Sequence, residues 1–102
     1  MRGKWQLADW ELESWKRKLN MFIVQLSRGA KEINLTERDI NPYQVETVLE
    51  ELGWEEIDMP DTNGWEQDRW NEFRHPNYPD KVLIVFSCGI TFELKIYFKE
   101  EE

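Results

Sequence analysis

Apolar positions along the chain fall into three kinds of pattern. From Ile90 to Phe98 they alternate, with Ile90, Phe92, Leu94, Ile96 and Phe98 on one side and Thr91, Glu93, Lys95 and Tyr97 on the other. A period of two predicts a strand with one face in a core and one in water. Just before it, Val82 to Phe86 is apolar at both parities, the pattern of a more interior strand. Cys88-Gly89 lies between the two and predicts a tight hairpin, glycine supplying the positive φ such a turn needs. A helical period marks another stretch: Leu12, Trp15, Leu19, Phe22, Ile23 and Leu26 recur at steps of three and four. Asp9 is the expected N-cap, Glu11 and Glu13 suit the positive end of the helix dipole, and Gly29 follows an expected end near Arg28. At about 1.5 Å per residue such a helix spans roughly 28 Å, long enough to lie along the hairpin and cover its apolar face.

Shorter patterns fill the middle. Ile33 and Leu35 alternate within a connecting segment and predict a short edge strand. Asn41-Pro42 then opens a second helix, Asn as cap and Pro where its missing N–H is harmless. Val45, Val48, Leu49 and Leu52 form its apolar stripe and Gly53 closes it. Trp54 to Met59 reads as a strand, with Ile57 and Met59 alternating against Glu56 and Asp58. Asp61-Thr62-Asn63-Gly64 is a reverse-turn signature, so Asp68 to Arg74 is read as a strand hairpinned to the preceding one, a short helix being the alternative. Together these elements predict an α+β domain: two helices packed on one face of a mainly antiparallel sheet of about four strands, ending in a C-terminal β-hairpin. The 102 residues suit a single domain, with 1–8 and 100–102 expected to fray.

Charge sharpens the view of the surface. The chain carries a net charge of −8, and its excess of acid is uneven. Residues 1–40 hold 8 Lys/Arg against 6 Asp/Glu, whereas 41–102 hold 5 against 15. Phosphate binding needs a basic surface, so this balance disfavours nucleic acid or an anionic membrane as the direct partner and favours a basic protein. No apolar run reaches the roughly 20 residues of a membrane span, and the N-terminal MRGKWQLADWELESW lacks the apolar core of a signal peptide. The single Cys88 cannot form an internal disulfide and reads as a small buried hydrophobe. A cytoplasmic protein is expected.

Chemistry-bearing residues are sparse. His75 is the only histidine. No Gly-flanked serine stands ready to pair with it, and no Gly-rich phosphate loop occurs. One nitrogen ligand among carboxylates makes a weak metal set, so neither metal nor cofactor is expected. A non-enzymatic role follows from the lack of a convergent acid, base and nucleophile.

The order of helix, Gly53-Trp54, strand, turn, Phe73-Arg74-His75-Pro76 and a Val/Ile-rich strand resembles part of the layout of small double-stranded-RNA-binding-like toxins of the HicA family. The resemblance covers about a third of the chain and implies topology rather than activity. Where that family carries its working histidine, this chain has Asn63-Gly64-Trp65.

Six tryptophans, Trp5, Trp10, Trp15, Trp54, Trp65 and Trp70, exceed what one small core already holding Phe22, Phe73, Phe86, Phe92 and Phe98 would absorb. Partly exposed tryptophans are enriched where partners dock. The expected docking surface is therefore acidic and aromatic: Glu46, Glu50, Glu51, Glu55, Glu56, Asp58 and Asp61, with Trp54 and Trp65 as anchors. In its sharpest form the protein is an inhibitor occupying the nucleic-acid-binding surface of a basic partner, as small anti-defence proteins of phages and mobile elements do. The alternative is a self-associating structural domain that uses the Ile90–Phe98 edge or a strip of Trp10, Arg17 and Met21. On the plainer reading of that strip, Trp10 folds back on the body. A third reading, a ligand or enzymatic pocket, would be lined by Trp65, Trp70 and His75.

Overall fold

The long helical stretch and the described part of the C-terminal alternation become the elements their periods imply. Of the expected Trp54–Met59 strand only Glu55–Glu56 is a strand, and Asp58 and Met59 lie outside the described residues. The computed structural model describes residues 7–36, 38–57, 68–88 and 93–99. It contains α1 (Asp9–Ser27), β1 (Ile33–Asn34), α2 (Pro42–Glu51), β2 (Glu55–Glu56), β3 (Asp68–Arg74), β4 (Leu83–Cys88) and β5 (Glu93–Phe98). The strands form one five-stranded sheet in the order β1-β5-β4-β3-β2, with every neighbouring pair antiparallel. Both helices pack their apolar sides against it in a single core.

The chain enters α1 through Ala8, not through Asp9 as cap preference predicts. Ala8 is extended, with ψ 156°, and its N–H donates to the Glu11 carboxylate at 3.1 Å. That is the half of a capping box that a side chain three residues on can supply. Asp9 instead joins Glu11 in the first turn, where negative charge is favoured. Trp15, Leu19, Ile23 and Leu26 form the buried face, flanked by the half-buried Leu12 and Phe22.

The shorter α2 is fastened at both ends. Asn41 Oδ1 accepts from the Gln44 N–H at 2.9 Å while Gln44 Oε1 accepts from the Asn41 N–H at 3.0 Å. Val45, Val48 and Leu49 are buried. At the exit Gly53 takes φ 94°, which lets the Trp54 N–H reach Leu49 O at 2.9 Å. A Cβ on Gly53 would stand 3.1 Å from His75 Nε2, so conformation and space both select glycine there.

Antiparallel partners share a face of the sheet, and the register therefore sorts the strands into two surfaces. Phe73, Leu83, Val85, Leu94 and Ile96 lie on the face the helices cover, none more than 4% exposed. Glu72, Trp70, Ile84, Phe86, Lys95 and Tyr97 fall on the other.

Two expectations about the hairpin are corrected. The described part of the Ile90–Phe98 stretch, β5, is not a free edge. β1 pairs with β5 at Ile33↔Ile96 and Asn34↔Lys95, and the Leu35 N–H donates to Leu94 O at 2.7 Å. The Thr36 hydroxyl then accepts from the Leu94 N–H at 3.1 Å and donates to Leu94 O at 3.3 Å, extending the cover with a side chain. Nor does Cys88 belong to the link: it pairs with Glu93 at the end of β4, and Gly89 lies outside the described residues. Cys88 itself is half-buried. Ile90, Phe92 and the expected turn at Asp61–Gly64 lie outside the described residues.

Candidate interaction surface

The acidic candidates divide by environment. Glu50 and Glu51 end α2, and Glu55 and Glu56 form β2 just beyond it; all four are exposed. Glu56 accepts a hydrogen bond from the Asn71 side chain. Glu50, Glu51 and Glu55 make no ion pair among the described residues. Glu46 is half-buried on α2. Asp58, Asp61 and Trp65 lie outside the described residues.

Trp54 is not the anchor its acidic neighbours suggest. It is 4% exposed, stacked on Tyr78 with ring centroids 5.7 Å apart and tilted against His75 at 5.0 Å. Both His75 nitrogens are engaged: Nδ1 accepts from the Asn77 N–H at 3.0 Å, so Nε2 carries the proton and donates to Leu52 O at 3.0 Å. This histidine ties β3 to the end of α2. Trp70 belongs to the opposite face of the sheet, so Trp70 and His75 do not meet in one pocket.

On α1, Trp10, Arg17 and Met21 do share an outward strip. Trp10 is 74% and Met21 57% exposed. The first-turn tryptophan therefore does not fold back on the body. Beside it a cleft of about 730 Å³ runs between α1 and the segment after β1, lined by Trp10, Ser14, Lys18, Asn34 and Arg38 among others.

The surface that pattern reading missed is the uncovered face of the sheet. β4 is the central strand, and its Ile84 and Phe86 stand between Trp70 on β3 and Tyr97 on β5. Trp70 is 43% exposed, yet Ile84 is only 4% exposed and lies outside the helix-side core. A groove of about 910 Å³ crosses this face towards the exit of α1, lined by Trp70, Glu72, Ile84, Lys95, Tyr97 and Lys99 among others. Of its four lysines Lys95 and Lys99 are paired within the chain, while Lys31 and Lys81 make no ion pair among the described residues. Lys95 Nζ lies 3.2 Å from Glu32 and 3.7 Å from Glu93, and Lys99 Nζ 3.4 Å from Glu72. The hydrogen bond to Glu32 holds the Lys95 ammonium above its ordinary pKa against opposing burial, with the Glu32 and Glu93 charges adding to it. Burial pushes the Tyr97 phenol up, partly offset by Lys95. Lys95 also lies over the Phe86 ring at 5.4 Å. The signal for this face was in the sequence: an interior strand apolar at both parities, with helices enough for one side.

Set against known protein families, curated proteins and solved structures, the chain matches none of them. No helix among the described residues is long and apolar enough to cross a membrane.

Proposed function

We propose that the chain is a non-enzymatic protein-binding domain that docks a basic partner through the acidic shoulder of Glu50, Glu51, Glu55 and Glu56. The observation that carries this reading is a run of exposed carboxylates of which Glu50, Glu51 and Glu55 make no ion pair among the described residues, although Arg74 stands opposite Glu55 across the strand pair. Glu50 and Glu51 stand in the last turn of α2, which holds no basic residue. There the helix dipole makes a negative charge unfavourable by about 0.3–1 kcal/mol. Glu55 and Glu56 then add two exposed carboxylates on the adjacent edge strand. Such a grouping weakens the isolated domain, and a cationic surface laid against it removes the repulsion.

In its finer form the partner is a nucleic-acid-binding protein and the domain an inhibitor of the phage or mobile-element anti-defence kind, filling the surface that phosphates would occupy. Charge of this sort acts mainly on the rate of encounter, and salt screens it. The test is affinity capture with the wild-type chain and with Glu50→Lys/Glu51→Lys/Glu55→Lys, followed by binding kinetics on the captured partner. The triple variant is expected to lose the partner. Association is expected to slow steeply from low to near-molar salt, and nucleic acid to compete for the same partner. Binding that ignores salt sinks the proposal.

A further inference from the structure

We infer that the groove on the uncovered face of the sheet binds a nucleotide, its base against Trp70 and its phosphates among the lysines at the opposite end. Register sets out the parts in rows. Trp70, Phe86 and Lys95 share one row, and Glu72, Ile84 and Tyr97 the next. Lys99, whose N–H donates to Val82 O at 2.8 Å, stands one row beyond. Rows are two residues apart along a strand, so about 14 Å separates the first from the third. One end therefore presents an indole that is 43% exposed, and the other a group of ammonium heads. A planar base joined through a sugar to phosphate carries its two recognition elements at opposite ends, as this groove does.

Charge selects an anion. The chain carries −8, yet the groove is lined by Lys31, Lys81, Lys95 and Lys99 against two carboxylates, Glu32 and Glu72. Those glutamates hold Lys95 and Lys99, which leaves Lys31 and Lys81 without an ion pair among the described residues. Lys81 is placed by the Phe98 ring, its Nζ 5.7 Å from the ring centre. Arg74 is not counted, because Glu55 stands opposite it. A second observation points the same way. The half-buried Tyr97 lines the groove between the indole and Lys99, and its hydroxyl makes no hydrogen bond among the described residues. It is a donor at the wall of the groove with nothing to donate to, and a ribose or phosphate oxygen accepts from it. Salt at physiological strength screens charges beyond about 8 Å, so the lysines at the site outweigh carboxylates elsewhere on the chain. The net charge still opposes a long polyanion, so the occupant is a free nucleotide and not a nucleic-acid strand.

The groove and the acidic shoulder share no residue, so either reading can fail alone. The experiment is isothermal titration of the full chain with adenosine diphosphate (ADP) in the presence of EDTA, with adenosine and inorganic phosphate as part-ligands. Saturable binding of ADP is expected, tighter than that of either part and weakened by NaCl. Lys31→Gln/Lys81→Gln is expected to weaken ADP about tenfold and to leave adenosine unchanged, since both side chains are exposed and act by charge. Trp70→Ala is expected to weaken ADP and adenosine alike, by about tenfold. Tyr97→Phe keeps the ring and removes the donor, and is expected to weaken ADP about fivefold. Trp10→Ala, in the cleft beside α1, is expected to leave binding intact. Unchanged thermal unfolding is the control for folding, and the exposed lysine pair keeps the test in force should Trp70→Ala not fold. No binding of ADP at millimolar concentration overturns the inference. So does binding that ignores the lysine pair, or that is lost in Trp10→Ala and kept in Trp70→Ala, because the nucleotide would then sit elsewhere. Inorganic phosphate bound as tightly as ADP also overturns it, since the indole would then have no part.

Discussion

Ile84 and Val85 are neighbours on β4, and each is almost wholly removed from solvent, at 4% and 1% exposed. They are buried by different means. Val85 faces the helices and belongs to one core with Leu19, Val48 and Ile96. Ile84 faces away from that core, in register with Glu72 and Tyr97 and one row from Trp70 and Phe86. One residue is enclosed by other elements, the other among side chains of its own sheet. Burial alone therefore does not distinguish a finished core from a surface waiting for a cover. What distinguishes them is whether the large neighbours are themselves enclosed: Leu94 and Ile96 are, Trp70 is not.

The sharpest test of that contrast sets the two faces against each other by truncation. Ile96→Ala removes packing enclosed on every side and is expected to cost about 2–5 kcal/mol in urea unfolding. Ile84→Ala leaves a space that mobile side chains can collapse into, so its cost is expected at or below the low end of that range. Equal losses at the two positions would mean that both faces are closed cores.

The covered face depends on both helices being held in place, and the two positive-φ glycines among the described residues, Gly53 after α2 and Gly29 after α1, separate backbone strain from contact. Gly53→Ala meets both an unfavourable φ and the His75 ring 3.1 Å away; about 1–2 kcal/mol is expected to be lost. Gly29→Ala has the same kind of φ, 114°, but nothing within 4 Å of the new Cβ. Its loss is expected to be about 1 kcal/mol or less. Thermal unfolding of both variants, with near-ultraviolet circular dichroism following Trp54, measures the difference owed to the histidine contact.

How far the pattern of residues foretells this architecture differs between the faces. Period-two alternation located β5, and the steps of three and four located the core stripe of α1, because those signals are local and set by backbone geometry. Asp68 to Arg74 was legible as a strand through its turn signature, although Trp70 and Phe73 are also spaced for a helix. Trp54 was misread because the residues that bury it, His75 and Tyr78, lie more than twenty positions on, while its neighbours Glu55 and Glu56 are exposed. Asp9 lost the cap because Glu11 reaches back to Ala8, which composition at the cap position does not show. The aromatic uncovered face needed a count of covers as well as a pattern: two helices against a central strand apolar on both sides.

Charge placement at the edge of the covered side gives a smaller effect of opposite sign. Glu50→Lys and Glu51→Lys, tested singly, reverse an unfavourable charge in the last turn of α2. Each is expected to stabilise the monomer by about 0.3–1 kcal/mol at low salt. The same changes are expected to weaken docking of a basic partner, so stability and binding move in opposite directions. Unfolding midpoints measured at low and high salt check the first half, the gain shrinking as salt screens the dipole. A loss of stability instead would mean that the carboxylates already have favourable partners.

The last contrast is in titration. Among the described residues no charged or polar residue is buried, whereas the uncovered face carries two groups whose protonation is displaced, Lys95 and Tyr97. Both shifts are upward, from ordinary values of 10.5 and 10.0, so the folded chain holds each proton more tightly than the unfolded one. Linkage then gives the same sign for both: their contributions are complete below about pH 10 and decline as pH rises through the folded values. Partial exposure of both groups keeps the effect small. Wild-type, Tyr97→Phe and Lys95→Gln chains, compared by urea midpoint between pH 8 and pH 11, isolate these two groups from the other tyrosines and lysines that titrate in the same window. Each variant is expected to show a shallower alkaline decline than the wild type. Parallel curves for all three would mean that the ion pairs and the half-buried phenol of the uncovered face contribute nothing to folding.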